Sequence, residues 1–354
     1  DLIDEAASRR HGNIKDGTTL TDYTPDEIAR QHSISLGLAY AEWMDTKLNL
    51  LDTPGYLDFF GEVVTGLHAA DAAVVVVSGV SGVEVGTEKA WEVCDRLHLP
   101  RLIFVGQMDK EHANFERVFA DVKAHLSPKV LPVEVPIGEG STFRGIVNLF
   151  SGKSHIYKPG TKSGEYDEVD VPAEHQAEVK KYSDLLIETV AATDDALIER
   201  YLGGEEIPRE EVIAALKAAV VAGSIVPLFV GSATLTYGMR ALLTKLVEIF
   251  PAAADVPPPV GAPLLGRVFK TTSEPHVGDV TLFRLYAGTL KNGADVWNAE
   301  HEVAEKLNHL SVQQGRERTE VGVLHAGDIG SVAKLRDTHT GDTFCLRDTP
   351  VRLA

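Results

Sequence analysis

The residues with the clearest chemical potential come directly after a short apolar run. Leu48–Leu51 is apolar enough and short enough for a buried strand. The four residues that follow it are Asp52, Thr53, Pro54 and Gly55. An Asp at the end of a buried strand can hold Mg²⁺, and a Gly at the start of the next helix lets a terminal phosphate approach its amide. The pattern favours phosphate and metal chemistry, although many strand-to-helix turns contain Asp-x-x-Gly.

Polar residues follow two other apolar runs in the same way. After Leu102–Val105 come Gly106, Gln107, Met108, Asp109 and Lys110, and after Val226–Val230 come Gly231, Ser232 and Ala233. An Asp can accept two hydrogen bonds from the guanine edge, and backbone amides can bind the guanine carbonyl. Ligands on an open α/β sheet sit at the carboxyl ends of its strands. Together the three strand ends favour a guanine-nucleotide site over three solvated loops.

The elements that must position these residues predict an α/β fold. The apolar run 72–77 suits a sheet that is buried on both faces. Amphipathic helices are predicted after it, at about Val83–Leu97, and after Leu102–Val105. This alternation predicts βαβ units and a mostly parallel sheet with helices on both faces. The run 34–43 and the turn at 44–47 predict a hairpin with the strand that ends at Asp52, and we expect that strand to belong to the same sheet.

The order of the predicted strands and helices along the chain predicts several domains. The alternation stops at about residue 128 and resumes after residue 222, which predicts an inserted α+β subdomain in a domain spanning 1–250. Residues 251–263 are rich in Pro and Ala and read as a linker. Short alternating runs separated by Gly and Asn-Gly turns then predict a β-barrel domain over 264–354.

Composition sets limits on partners and compartment. The formal net charge of −18 argues against phosphate contacts over the whole surface but leaves a local basic patch open. Cys94 and Cys345 are far apart and suit thiols in a reduced cytoplasm, and no apolar run is long enough to span a membrane. Residues 1–10 read as the tail of a helix already under way, so we expect the chain to be a fragment.

Taken together, the motifs resemble those of the translational GTPases, and among them elongation factor G. Asp52–Gly55 matches the switch II motif, Gly106–Asp109 resembles the base-recognition motif Asn-Lys-x-Asp, and Gly231–Ala233 resembles the Ser-Ala motif. Gln31–Leu36 looks like the end of switch I, with Ser35 in place of the Mg²⁺-binding Thr. Further stretches resemble the insertion and the second domain of elongation factor G: 136–138, 142–146, 284–290, 326–330 and 340–343.

The resemblance implies a monomeric factor that binds GTP or GDP with Mg²⁺ and hydrolyses GTP on the ribosome, contacting rRNA and ribosomal proteins. It assigns the metal to Ser35 and Asp52, and the γ-phosphate to the Gly55 amide. It assigns the rest of the nucleotide to these residues: Thr53, Pro54, Gly106, Gln107, Asp109, Lys110, Gly231, Ser232 and Ala233. Translocation, ribosome recycling and ribosome protection are all conceivable roles.

Three departures from the family pattern affect the expected activity. The Gly-x-x-x-x-Gly-Lys-Ser/Thr loop is absent from this sequence, and Ser151–Ser154 does not supply it because Val147 stands at the first Gly position. In the family that loop precedes the point where this chain starts, so we expect truncation to explain its loss and the fragment alone to be weak or inactive. Gly106 and Gln107 replace the Asn and Lys of the base motif, and Tyr56 replaces the catalytic His, which predicts slower or differently triggered hydrolysis. A ribosome-binding paralogue without useful hydrolysis is the alternative. A third alternative, an unrelated α/β enzyme with a β-barrel appendage, is disfavoured because no acid/base pair or nucleophile constellation stands at the strand ends.

Overall fold

The computed structural model describes residues 12–161, 163–253, 255–256, 258, 261–275 and 277–353. These residues form two compact units. Unit 1 contains residues 43–46 and 72–250, and unit 2 contains residues 12–42, 47–71 and 251–354. The predicted helix tail at 1–10 lies outside the described residues.

The described α-helices are α1 (Pro25–Arg30), α2 (Phe60–Ala69), α3 (Val85–Arg96), α4 (Phe115–His125), α5 (Gln176–Ala191), α6 (Asp195–Leu202), α7 (Arg209–Val221) and α8 (Met239–Ile249). The first ten strands are β1 (Gly37–Trp43), β2 (Thr46–Asp52), β3 (Ala73–Ser78), β4 (Arg101–Gly106), β5 (Val130–Pro132), β6 (Glu134–Ile137), β7 (Gly145–Asn148), β8 (Lys153–Tyr157), β9 (Tyr166–Asp170) and β10 (Val226–Val230). The other ten are β11 (Leu265–Glu274), β12 (Gly278–Ala287), β13 (Thr289–Lys291), β14 (Ala294–Asn298), β15 (Val303–Leu307), β16 (Ser311–Gln314), β17 (Glu317–Glu320), β18 (Val323–His325), β19 (Ile329–Ala333) and β20 (Thr343–Cys345). Among the described helices, none has the length and apolar character needed to cross a membrane.

A four-stranded parallel sheet forms the centre of unit 1, in the order β3-β4-β10-β5. Its inner strands are apolar apart from Arg101 at the start of β4, and Ile103 and Leu228, which are register partners, are fully buried. α4 adds Phe115, Val118 and Val122 to the same core. Burial on this scale is the main favourable term in folding, so the apolar strands fix the sheet that carries the loops at their carboxyl ends. The predicted α/β class with a parallel sheet is confirmed.

A second, antiparallel sheet in unit 1 has the order β6-β7-β8-β9 and is followed by α5, α6 and α7. Ser151–Ser154 lies where β7 turns into β8, so a strand, and not a helix, follows it. β9 is an edge strand whose five residues are all exposed. β5 precedes this sheet and pairs with β10 in the parallel sheet.

In unit 2, β1 and β2 form a two-stranded sheet of their own. The expectation that the strand ending at Asp52 belongs to the parallel sheet is therefore wrong for the described residues. β2 is also not the buried strand that its apolar run suggested, because its residues are only half-buried or exposed. A single turn of 3₁₀-helix, Leu57–Phe59, leads from Asp52 into α2.

The rest of unit 2 is an antiparallel β-rich domain, as the short alternating runs indicated. Eight strands pair in the order β15-β14-β20-β11-β12-β19-β16-β17, and β13 pairs with β18. Val268, Phe283, Leu307 and Phe344 are among the buried side chains of its core.

Candidate functional site

The base-recognition motif occupies the turn after β4. Gln107 has a φ of 60°, a left-handed conformation that turns the chain away from the strand. The next residue, Met108, is fully buried, and its N–H donates to the carbonyl of Gly231 at 3.2 Å. The motif at 106–110 and the loop at 231–233 are therefore joined by a backbone hydrogen bond, as a shared site requires.

Asp109 is the residue in this turn with unmet hydrogen-bonding capacity. Its side chain is 13% exposed, and Oδ2 lies 3.5 Å from Nζ of Lys110. Its Oδ1 is buried, with no hydrogen-bond donor among the described residues. A buried oxygen without a donor carries a desolvation cost that a donor from a ligand can offset. The N1–H and N2–H of guanine are donors of the required kind, so the turn fits a guanine base.

The loop after β10 has a fixed shape. Ser232 is fully buried, donates its N–H to the carbonyl of Tyr237 at 2.9 Å, and accepts a hydrogen bond at Oγ from the Leu235 amide at 3.2 Å. A Cβ on Gly231 would lie 2.4 Å from the Tyr237 oxygen, so the backbone requires glycine there. Ala233 follows at the surface.

The switch II residues lie in unit 2, at the end of β2. Asp52 is exposed, and its Oδ2 accepts a hydrogen bond from Thr21 Oγ1 at 2.5 Å. Thr53 packs on α2 near Gly66, where an added Cβ would lie 2.9 Å from Thr53 Cγ2. Pro54 is buried and Gly55 is exposed. A Cβ on Gly55 would meet no atom of the described chain within 4 Å. The fold itself therefore tolerates a side chain at Gly55.

Ser35, the predicted second metal ligand, is exposed and is held through its backbone. Its N–H donates to Oε1 of Glu27 at 3.1 Å, and the amide of Ile34 donates to the same oxygen. Burial raises the pKa of Glu27, but the hydrogen bonds from Thr24, Ile34 and Ser35 outweigh burial and lower the pKa overall.

Sequence reasoning missed Glu27. Thr24 and Glu27 form a reciprocal capping box at the start of α1, and Glu27 is 1% exposed. The signal for this contact was present as Thr-x-x-Glu, the typical capping-box spacing. The burial of Glu27 against the Ser35 segment could not be read from that spacing.

Tyr56, at the position of the family's catalytic His, is 57% exposed. The imidazole of His32 packs against it with ring centroids 4.4 Å apart, and His32 also lies 6.2 Å from the Phe59 ring. His32 belongs to the stretch that resembles switch I, so unit 2 brings the two switch stretches into contact. The predicted site residues thus form two groups, 106–110 with 231–233 in unit 1, and Ser35 with 52–56 in unit 2.

Comparisons with known proteins place both groups of motifs within one family domain. The family model of the elongation factor Tu GTP binding domain matches residues 2–252, and the model of elongation factor G domain 2 matches residues 263–347. A crystal structure of a protein from Thermus thermophilus is similar, with 34% sequence identity and a TM-score of 0.88. The match covers 97% of this chain and 51% of that chain, so the present chain spans about half the length of this relative.

The first family model covers well over half of the chain, and the second covers most of the antiparallel β-rich domain. The chain therefore belongs to the family of the elongation factor Tu GTP-binding domain and is a translational GTPase of the elongation-factor-G-like kind.

Proposed function

We propose that this chain is the nucleotide-binding part of an elongation-factor-G-like factor that binds GTP with Mg²⁺ and hydrolyses it on the ribosome. The observation that carries the proposal is the buried, donor-less Oδ1 of Asp109 in a turn bonded to the 231–233 loop. A guanine base supplies the missing donors, and the family relationship makes guanine nucleotide the natural ligand.

In this proposal two segments of the chain, the turn after β4 and the loop after β10, form hydrogen bonds with the guanine base. Asp109 accepts from the guanine N1–H and N2–H, and the amide of Ala233 donates to O6. Gly231 and Ser232 fix the shape of the loop that presents Ala233, while Gly106, Gln107 and Lys110 form the rest of the wall. Guanine binding then provides donors for a carboxylate oxygen that has none among the described residues.

The phosphates and the metal belong to the other group of residues. Ser35 Oγ and the Asp52 carboxylate would hold Mg²⁺, directly or through water, and Mg²⁺ supplies charge neutralisation on the phosphates. Thr53 and Pro54 set the turn, and the Gly55 amide donates to the γ-phosphate. Tyr56 positions the attacking water through its hydroxyl, which can donate and accept but stays neutral near pH 7.

The domain organisation follows the same proposal. Residues 1–250 act as the GTPase domain with an insertion at about 128–222, residues 251–263 link it, and residues 264–354 act as the second domain of the factor. The partners are guanine nucleotide and the ribosome, through rRNA and ribosomal proteins, and the factor acts as a monomer.

The test is GTP turnover by the full-length protein with and without ribosomes. We expect GDP and GTP to bind with Mg²⁺, and ribosomes to stimulate turnover. An Asp109→Asn variant, of nearly the same size, should lose most guanine affinity because an amide cannot accept from both N1–H and N2–H. Equal affinity of Asp109→Asn and wild type for GDP would contradict the proposal.

A second candidate is a ribosome-binding paralogue that binds GTP without useful hydrolysis. Tyr56 in place of the catalytic His and Gly106 in place of the base-motif Asn favour it. Nucleotide binding without ribosome-stimulated turnover in the same assay would select this candidate over the first.

A further inference from the structure

The exposed side chain of Gln107 is held in place by Ser78. Ser78 ends β3 and is the register partner of Gly106, which ends β4. Its hydroxyl oxygen lies 2.7 Å from Oε1 of Gln107. Exposed glutamine side chains normally sample several rotamers, so this contact removes freedom that Gln107 would otherwise keep.

The direction of this hydrogen bond follows from the other partners of Ser78. Its Oγ accepts from the amides of Val80 at 3.2 Å and Ser81 at 3.1 Å. A serine hydroxyl has two acceptor positions and a single proton. With both acceptor positions taken by backbone N–H groups, the proton goes to Gln107, whose carbonyl oxygen therefore faces Ser78. The NH₂ group of Gln107 occupies the opposite side of a flat amide.

We propose that Ser78 is a positioning residue for nucleobase binding, which acts by holding the side chain of Gln107, a residue that the base-motif resemblance assigns to the nucleotide. This inference rests on the proposed guanine-nucleotide function. Gln107 stands two residues before Asp109, whose buried Oδ1 has no donor among the described residues and lies in the same turn. Ser78 itself does not contact the base. It acts through Gln107.

Ser78 increases the affinity for the nucleotide by restraining Gln107 before the nucleotide binds. Binding a purine against a freely rotating side chain costs conformational entropy, because that side chain is immobilised on binding. Because Ser78 already restrains Gln107, this cost is met before the nucleotide arrives. Removing either partner of the hydrogen bond should therefore weaken guanine binding by a similar amount.

The test is a double-mutant cycle in the full-length protein, with GDP affinity measured by calorimetry. Ser78→Ala removes the proton donor. Gln107→Asn shortens the side chain by one methylene, while Asn tolerates the left-handed backbone at this position. We expect each variant to raise the Kd for GDP about 3- to 10-fold, and the double variant to bind no more weakly than the weaker single variant. Ser78→Thr keeps the hydroxyl and should bind GDP like wild type.

Base recognition is separated from structural support by two further measurements. Ser78 also supports the turn through Val80 and Ser81, so Ser78→Ala is expected to lower the thermal midpoint as well. Gln107→Asn leaves those contacts intact and should change GDP affinity with little change in the midpoint. Competition with guanosine, which lacks phosphates, should show the same fold-change as GDP.

The outcomes are distinct. GDP binding with unchanged Kd in both Ser78→Ala and Gln107→Asn would overturn the role of this pair while leaving the proposed function standing. Additive losses in the double variant would also overturn it, since the two residues would then act separately. Failure of wild type to bind GDP would reject the proposed function and this inference with it.

Discussion

His32 packs on Tyr56, with ring centroids 4.4 Å apart and planes inclined by 42°. The contact links the stretch that resembles switch I to the residue at the position of the family's catalytic His. Because Tyr56 is more than half exposed, its hydroxyl remains open to other partners while its ring is covered on one side.

We predict that Tyr56→His will raise ribosome-stimulated GTP turnover of the full-length protein by at least about tenfold, because a positioned imidazole contributes roughly 10²–10⁴-fold in proton-transfer steps. The measurement is kcat with saturating ribosomes. Tyr56→Phe is the matched control and should be slower than wild type. No gain from Tyr56→His would show that the tyrosine does not limit hydrolysis.

We predict that Gly55→Ala will keep the fold but lose the response to the γ-phosphate. A Cβ at this exposed position meets no atom of the described chain within 4 Å, so the thermal midpoint should stay within a few degrees of wild type. A methyl group on the residue whose amide faces the phosphate should block its approach, and GTP should then bind no better than GDP. The two Kd values and the melting curve provide the check. A GTP preference like that of wild type would contradict the assigned role.

We predict that Gly106→Asn will tighten guanine binding by giving the base a third contact. An added Cβ would lie 3.5 Å from the Phe104 ring, an ordinary contact, so the backbone at this position accepts a Cβ. After Asp109 and Ala233 have used N1, N2 and O6, the N7 acceptor of guanine remains, and an asparagine amide can donate to it. We expect about a 3- to 10-fold lower Kd for GDP, the value of one net hydrogen bond.

The 7-deaza analogue of GDP, which lacks N7, supplies the control for this variant. Wild type should bind GDP and 7-deaza-GDP alike, and Gly106→Asn should prefer GDP. A clear GDP preference in wild type would mean that another group already reads N7.

We predict that Glu134→Gln will reduce the pH dependence of stability. Glu134 is 1% exposed, its Oε1 has no hydrogen-bond donor among the described residues, and burial raises its pKa to about 8 despite the opposing charge of Lys245. The folded state therefore keeps a proton that the unfolded chain releases above about pH 4.5. Wild type should lose up to about 1.4 kcal/mol per pH unit from this group as the pH rises from 4.5 to 8.

Denaturant unfolding at pH 5 and pH 8 measures this dependence. Glu134→Gln should be more stable than wild type at pH 8 and nearly equal to it at pH 5. The exposed Glu165→Gln serves as the control and should follow wild type at both values. Parallel pH profiles for wild type and Glu134→Gln would show that the carboxyl group is already ionised in the folded protein.

Much of the fold could be predicted from the sequence because the core strands coincide with continuous apolar runs. β3, β4 and β10 were predicted from such runs, and the helices between them from their periodicity. β9 was not predicted, since its exposed residues show no apolar alternation and only the hydrogen bonds to β8 make it a strand. The hairpin of β1 and β2 was predicted, but the membership of β2 in the parallel sheet was predicted wrongly, because an apolar run does not specify the sheet to which a strand belongs.

For the candidate site, the sequence indicated which residues to consider but not how they are held. Asp109 was recognised from its place after a buried strand. The lack of a hydrogen-bond donor for its buried Oδ1 could not be predicted, because a motif does not specify which atoms are buried. The Ser78–Gln107 contact joins residues 29 positions apart and required the register of β3 and β4. The burial of Glu27 beneath Ser35 was missed for the same reason, since its partners come from a later turn of the chain.

The exposed edge strand β9 has a consequence for association between copies. Among the described residues β9 pairs with β8 alone, so its outer row of backbone groups could template a strand from another molecule. Asp167, Glu168 and Asp170 place three acids within five residues of this row, and two such edges would meet with like charges opposed. Within one molecule these three carboxylates pair with Lys158, His155 and Lys153. Between molecules, the same carboxylates oppose the growth of an intermolecular β-sheet.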